Sequence, residues 1–113
     1  MKRFHYSDVP GEPVTSEGAE GVTIQWLINR SDGAPNFAMR RFEIAPGGHT
    51  PLHSHAWEHE VFILSGEGVV VGAAGEQRFA AGDVIFMPPE ERHTFRNDGV
   101  KTVCLLCLVP IAQ

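Results

Sequence analysis

The chain holds six histidines, and three of them, His53, His55 and His59, fall in one seven-residue window. The segment reads Leu52-His53-Ser54-His55-Ala56-Trp57-Glu58-His59-Glu60. Imidazole is the commonest nitrogen ligand for Zn, Fe, Ni, Cu and Mn. Residues two apart on a strand share a face, so His53 and His55 can converge on one point. A lone His-x-His pair reads more readily as two solvated side chains on a strand edge. The third histidine shifts the balance toward a metal site, as does the position of the segment between two Pro/Gly turns.

Such a cluster needs a rigid frame, and the composition says which kind. The chain has 113 residues, enough for one domain with one core. Twelve glycines and eight prolines are spread along it, which leaves little room for long helices. Strands of five or six residues fit easily between them. Residues 1–20 read as a polar arm broken by Pro10, Gly11, Pro13 and Gly18, and residues 21–113 as the folded domain. Val22–Ile28 reads as a strand, and Asp32-Gly33 as a turn. Phe37–Ile44 alternates, with Ala38, Arg40, Phe42 and Ile44 on the more apolar face, and Pro46-Gly47-Gly48 is expected to end it. Val61–Leu64 reads as a buried strand, followed by strands at Val69–Val71, Gln77–Phe79 and Val84–Met87. Asn97-Asp98-Gly99 carries a hairpin-turn signal before a last strand, Val103–Val109. About eight short strands with turns between them predict an all-β sandwich or barrel.

The net charge of −5 argues against nucleic acid or an anionic membrane as the main partner. No apolar run approaches a membrane span, and Met1–Tyr6 has no apolar stretch behind its charges. Two cysteines do not make a disulfide framework, so a cytoplasmic protein is expected.

Fixed spacings extend the histidine pattern. Gly47 is followed after five residues by His53-x-His55, after three more by His59, and after six more by Gly66. Gly82 is followed after five residues by Pro88-x-Glu90, after two by His93, and after three by Asn97. These two runs, separated by fifteen residues, resemble the two motifs of the cupin superfamily. The resemblance implies a double-stranded β-helix, the jelly-roll barrel, with a metal ion in its mouth.

Two positions depart from the family pattern. Glu90 stands where the second motif has a glycine, so a reshaped loop is expected before His93. His59 stands where the first motif has its glutamate ligand. Glu60 competes for that role, but only His59 keeps six residues before Gly66, and Glu60 has the opposite strand parity. The resemblance therefore implies a four-histidine site, His53, His55, His59 and His93, similar to small cupins that hold manganese. Four neutral imidazoles leave the charge of a divalent ion uncompensated, which makes it a stronger Lewis acid and favours anionic ligands. Mn is the first choice, with Fe, Zn, Ni and Cu open, because affinity order alone does not select Mn.

Arg40, Phe95 and Cys107 are the pocket candidates. Arg40 inside the barrel mouth needs an anionic partner, either a nearby glutamate or a substrate carboxylate or enolate. Phe95 shares a face with His93, and Trp57 is read as a wall or a dimer contact. Cys104 and Cys107 face opposite sides of one strand, which rules out a joint site. Three functions follow from the resemblance. The first is a metal-dependent oxidoreductase of dioxygenase type acting on a small organic molecule. The second is a Lewis-acid isomerase or hydrolase acting on a sugar or keto acid. The third is a small-molecule-binding module without turnover. A homodimer is expected, since small jelly rolls have edges that invite pairing.

Overall fold

The computed structural model describes residues 1–111, so positions 112 and 113 of the expected barrel segment lie outside the described residues. The described residues form nine strands: β1 (Glu12–Pro13), β2 (Glu20–Ile28), β3 (Phe37–His49), β4 (His59–Ser65), β5 (Glu67–Gly72), β6 (Gly75–Ala80), β7 (Val84–Met87), β8 (Thr94–Arg96) and β9 (Val103–Pro110). The only helical turns among the described residues are two single-turn 3-10 segments, at Tyr6–Asp8 and Arg30–Asp32. All pairings are antiparallel, in the order β6-β5-β8-β3-β9-β4-β7, with β2 attached to β3 and β1 to β2. The sheet curls on itself as a jelly-roll barrel, the all-β fold expected from the strand spacing. Among the described residues, no helix is long and apolar enough to cross a membrane.

The inward face is apolar because strand residues alternate. Ala38, Ile44, Val61, Ile63, Val103 and Leu105 are buried in one cluster. The outward face of β3 is not simply wet. Arg41 is buried there beneath the N-terminal segment, its guanidinium 4.4 Å from the Tyr6 ring centroid. Its Nη1 donates to Gln25 Oε1 at 2.8 Å and to Glu43 Oε2 at 2.7 Å. Gln25 Nε2 in turn donates to the carbonyls of Tyr6 and Val9, at 3.0 and 2.8 Å. The N-terminal segment is thus laid along the barrel, with Glu12 opposite Ile24 in the β1–β2 pair.

Three local readings are corrected. Pro46-Gly47-Gly48 does not end β3. Gly47 takes a φ of +81°, the register shifts between Glu20 and Val22 on β2, and pairing resumes at Glu20–His49. A glycine in a long strand marks a bulge as readily as a stop. Val61–Leu64 is not buried throughout, since Phe62 and Leu64 are exposed on the outer face while Val61 and Ile63 are inside. Asn97-Asp98-Gly99 joins no hairpin, because β3 lies between β8 and β9. Asn97 is instead 1% exposed. Its Nδ2 donates to the carbonyls of Ile44 and Lys101 at 2.9 and 2.7 Å, and its Oδ1 accepts from Gly99 N at 3.0 Å.

Candidate metal centre

Four histidines meet at the barrel mouth, carried by three pieces of chain. His59 opens β4, His93 immediately precedes β8, and His53 and His55 lie in the β3–β4 connection. The last two are not on a continuous strand as expected. A single antiparallel bridge holds His53: its N donates to His93 O at 3.2 Å, and His93 N donates to His53 O at 2.9 Å. Glu90 N donates to His55 O at 2.7 Å, a second tie between the two loops. Thr50 adds a third, accepting from Phe95 N at 2.9 Å through its hydroxyl.

The rings face one another closely. Centroid separations are 5.1 Å for His53–His55 and His53–His93, 4.3 Å for His55–His59, and 5.3 Å for His59–His93. His53, His55 and His93 each offer a ring nitrogen within 4.8 Å of the others. His59 is not within that limit of all three, though its ring stacks on that of His55. Glu60, its neighbour, is exposed on the outer face of β4.

Hydrogen bonds turn the rings the same way. Nδ1 lies 2.9 Å from Pro51 O in His53, 2.9 Å from Trp57 O in His55, and 2.7 Å from Glu91 O in His93. A carbonyl can only accept, so each Nδ1 carries the proton and each Nε2 keeps its lone pair. In His59, Nδ1 instead lies 3.2 Å from Cys107 Sγ. The Nε2 atoms of His55 and His59 are buried without a hydrogen-bond partner. Buried nitrogens left unpaired are costly, and a transition-metal ion is the group that would satisfy them. The donor set therefore fits a metal.

The electrostatics agree. Burial, then the nearby Arg40 guanidinium and the other histidines, hold His59 far below the usual imidazole range, at about 3. His55 and His93 are also lowered, in both cases chiefly by burial. Neutral imidazoles are the ligating form. Burial pushes the Cys107 thiol up, opposed by Arg40.

Around the histidines lies a cavity of about 260 Å³. Phe42, Phe95 and Leu105 form apolar walls, and Arg40 and Cys107 reach the same space. All three pocket candidates from the sequence thus line it. Arg40 has no carboxylate partner among the described residues. Its Nη2 donates to Cys107 Sγ at 3.0 Å, its guanidinium carbon lies 5.0 Å from the Phe42 ring and 5.4 Å from the Trp26 ring, and its Nε is unpartnered. Trp57 is half-exposed and stacks on His55 at 4.5 Å, with the planes 3° apart. Val14 and Ser16 from the N-terminal segment also line the cavity, which sequence reasoning missed. The available signal was slight, an isolated Val14 in a polar stretch. Val14 N donates to Val22 O at 2.9 Å, which anchors that edge of the cavity.

The loop before His93 holds a left-handed residue at the second motif's glycine position. Glu90 has a φ of +70°, the conformation its glycine counterpart would adopt without strain.

The cupin domain family matches residues 40–109, and the chain belongs to that family. A 1-methylthio-D-xylulose 5-phosphate methylsulfurylase of Rhodospirillum rubrum is 34% identical over 71 residues, covering 63% of this chain and 46% of that protein. An oxalate-binding protein of Thermotoga maritima is 38% identical over 60 residues, covering 52% of this chain and 50% of that protein. The chain spans about half the length of the curated relatives it matches. Among solved structures, the polyketide cyclase RemF of Streptomyces resistomycificus is similar at 37% identity and a TM-score of 0.94, covering 99% of this chain and 80% of that one.

Proposed function

We propose that this chain is a metal-dependent enzyme that binds a small anionic carbonyl compound and acts on it by Lewis-acid chemistry. One observation carries the reading. The charged and metal-ligating groups in the cavity wall are four imidazoles, the Cys107 thiol and Arg40, with no carboxylate among them. His53, His55, His59 and His93 would hold the ion through Nε2. A divalent ion held there supplies Lewis acidity toward a carbonyl or enolate oxygen. Arg40, which lines the same cavity, would hold a second oxygen of the same molecule. Phe42, Phe95 and Trp57 flank the site and keep water from the reacting carbon. The polyketide cyclase relative, alike over nearly the whole chain, supports an enzyme with a small-molecule substrate.

We take manganese as the first choice of ion. The test is elemental analysis of protein purified without added metal or chelator, followed by a screen of enolisable 1,3-dicarbonyl compounds with and without oxygen. Bound divalent metal and oxygen-independent turnover are expected. Protein without metal would sink the site assignment. Turnover that needs oxygen would replace this reading with the dioxygenase-type oxidoreductase.

A homodimer is part of the same proposal. Phe62, Val84 and Phe86 are exposed on the outer face of β4 and β7, a cluster of a kind that marks interfaces. A monomer by light scattering at micromolar concentration would overturn it.

A further inference from the structure

Three of the four clustered histidines are oriented by backbone carbonyls, and one is not. His53, His55 and His93 each lean on a carbonyl through Nδ1. His59 has a thiol in that place, Cys107 Sγ at 3.2 Å. The same sulfur accepts from Arg40 Nη2 at 3.0 Å. We propose that Cys107 is a positioning residue, whose sulfur joins the fourth metal ligand, His59, to the cation that faces the substrate, Arg40. This rests on the reading of the four histidines as ligands.

The role of the sulfur depends on which nitrogen of His59 carries the proton. A carbonyl settles that question for the other three, but a thiol can donate or accept. If the thiol donates to Nδ1, then Nε2 must carry a hydrogen. That hydrogen would point into a buried place where Nε2 has no partner, and it would block an ion. If Nδ1 donates to sulfur, Nε2 presents a lone pair to the centre, as the other rings do. Arg40 is compatible with the second arrangement: its guanidinium can only donate, so it takes one lone pair of the sulfur and leaves another for the Nδ1–H of His59.

The register makes this link a property of the barrel wall. Arg40 on β3 is the Cα partner of Cys107 on β9, and Cys107 is the partner of Val61, two residues beyond His59 on β4. Three neighbouring strands therefore deliver the cation, the sulfur and the ligand side by side. Cys107 is 2% exposed and His59 is 8% exposed, so water does not compete for these contacts. Cys104, the other cysteine, lies on the opposite face, 3.4 Å from Arg41 Nη2, and serves as the internal control. Losses of about 10- to 100-fold in metal affinity are typical when a group that orients a ligand is removed.

The test reads tautomer and affinity, not turnover. Long-range proton–nitrogen NMR on the nitrogen-15-labelled full chain assigns each imidazole tautomer, and zinc titration gives the affinity. In wild-type protein, His59 is expected with its proton on Nδ1, both metal-free and with zinc. Cys107→Ala is expected to mix the His59 tautomers in the metal-free protein and to weaken zinc binding by about tenfold. Cys107→Ser, which keeps an acceptor, is expected to recover part of both, and Cys104→Ala to change neither. Unchanged tautomer and affinity in Cys107→Ala would overturn the proposal. If Cys107→Ala does not fold, the wild-type tautomer decides, and a proton on Nε2 of His59 overturns it. If wild-type protein binds no zinc, the ligand reading fails separately, and the metal-free tautomer still judges the contact.

Discussion

The amide of Glu90 donates to the carbonyl of His55 at 2.7 Å, from a residue held at a φ of +70°. Glu90 is the only non-glycine among the described residues with a positive φ. The left-handed region costs an L-residue roughly 1–2 kcal/mol, because Cβ crowds the following carbonyl. The strain persists because the hydrogen bond and the His53–His93 bridge fix the loop on both sides.

Glu90→Gly should therefore stabilise the protein. Glycine relieves the strain but adds freedom to the unfolded chain, so the net gain is about 1 kcal/mol. That corresponds to a rise of several degrees in melting temperature for a domain of this size. Glu90→Ala keeps the strain and should leave the melting temperature near wild type. Calorimetry on both variants checks this. A Glu90→Gly protein no more stable than Glu90→Ala would show that the turn is not strained.

Asn97 gives the largest effect expected away from the centre. Its side chain satisfies the carbonyls of Ile44 and Lys101 and the amide of Gly99, with 1% of its surface exposed. Asn97→Ala leaves those groups short of partners in a buried place, at about 1–3 kcal/mol for each unsatisfied group. A loss of roughly 3 kcal/mol in urea unfolding is expected, with no change in slope. A loss below about 0.5 kcal/mol, the scale of a surface substitution, would show that water takes over these contacts.

Asn97 also shows where the sequence was legible and where it was not. Its place four residues after His93 was readable as a motif position, but Asn-Asp-Gly is a local signal for a hairpin. Local turn chemistry does not say which strands pair, and here β3 separates the two strands that the turn joins. Strand positions were legible because alternation and Pro/Gly breaks are local. The inward set Ala38, Arg40, Phe42 and Ile44 was legible for the same reason, and it brought Arg40 into the cavity. The burial of Arg41 was not legible, because it depends on a distant segment around Tyr6 that has no periodicity. Cys107 and His59 are 48 residues apart, and no sequence spacing announces their contact.

Acid should destabilise the metal-free protein, and the sign follows from His59. Its imidazole titrates near 6.5 when unfolded and at about 3 when folded. Between those values the unfolded chain binds a proton that the folded one refuses, so stability falls as pH drops and is flat above. From pH 6.5 to 5.5 one such group costs about 1 kcal/mol. His55 and His93, also held low, act in the same direction. Urea midpoints of metal-free protein at the two pH values check this. His59→Gln should reduce the dependence, and an equally steep dependence in that variant would place its origin elsewhere.

Arg40 should control binding of anions in the metal-loaded protein. Its Nε has no partner, and its charge is balanced by no carboxylate among the described residues. Oxalate is a small probe with two anionic ends, one for the ion and one for the guanidinium. Arg40→Met keeps the stem but removes a charge-assisted hydrogen bond, worth about 1.5–3 kcal/mol. Oxalate affinity should fall by roughly tenfold to a hundredfold by calorimetric titration, with metal content unchanged. Equal affinity would mean that Arg40 plays no part in holding the ligand.

The choice between His59 and Glu60 can be decided by a pair of substitutions. Both residues open β4, but their side chains point to opposite faces, as they must at adjacent strand positions. His59 is buried beside His55 and Cys107, while Glu60 is exposed and sits opposite Phe86 and Leu108 on the outer wall. For Glu60 to reach the ion, β4 would have to slip by one residue. That slip would carry Val61 and Ile63 out of the core and bring Phe62 in. The cost of exposing two buried aliphatic side chains, about 1.5–3 kcal/mol each, sets the register against Glu60. His59→Ala should therefore lower metal affinity by at least roughly tenfold, while Glu60→Ala should retain metal at the wild-type ratio. Elemental analysis after equal dialysis reads both. Retention by His59→Ala together with loss from Glu60→Ala would transfer the fourth ligand to Glu60 and require the slipped strand.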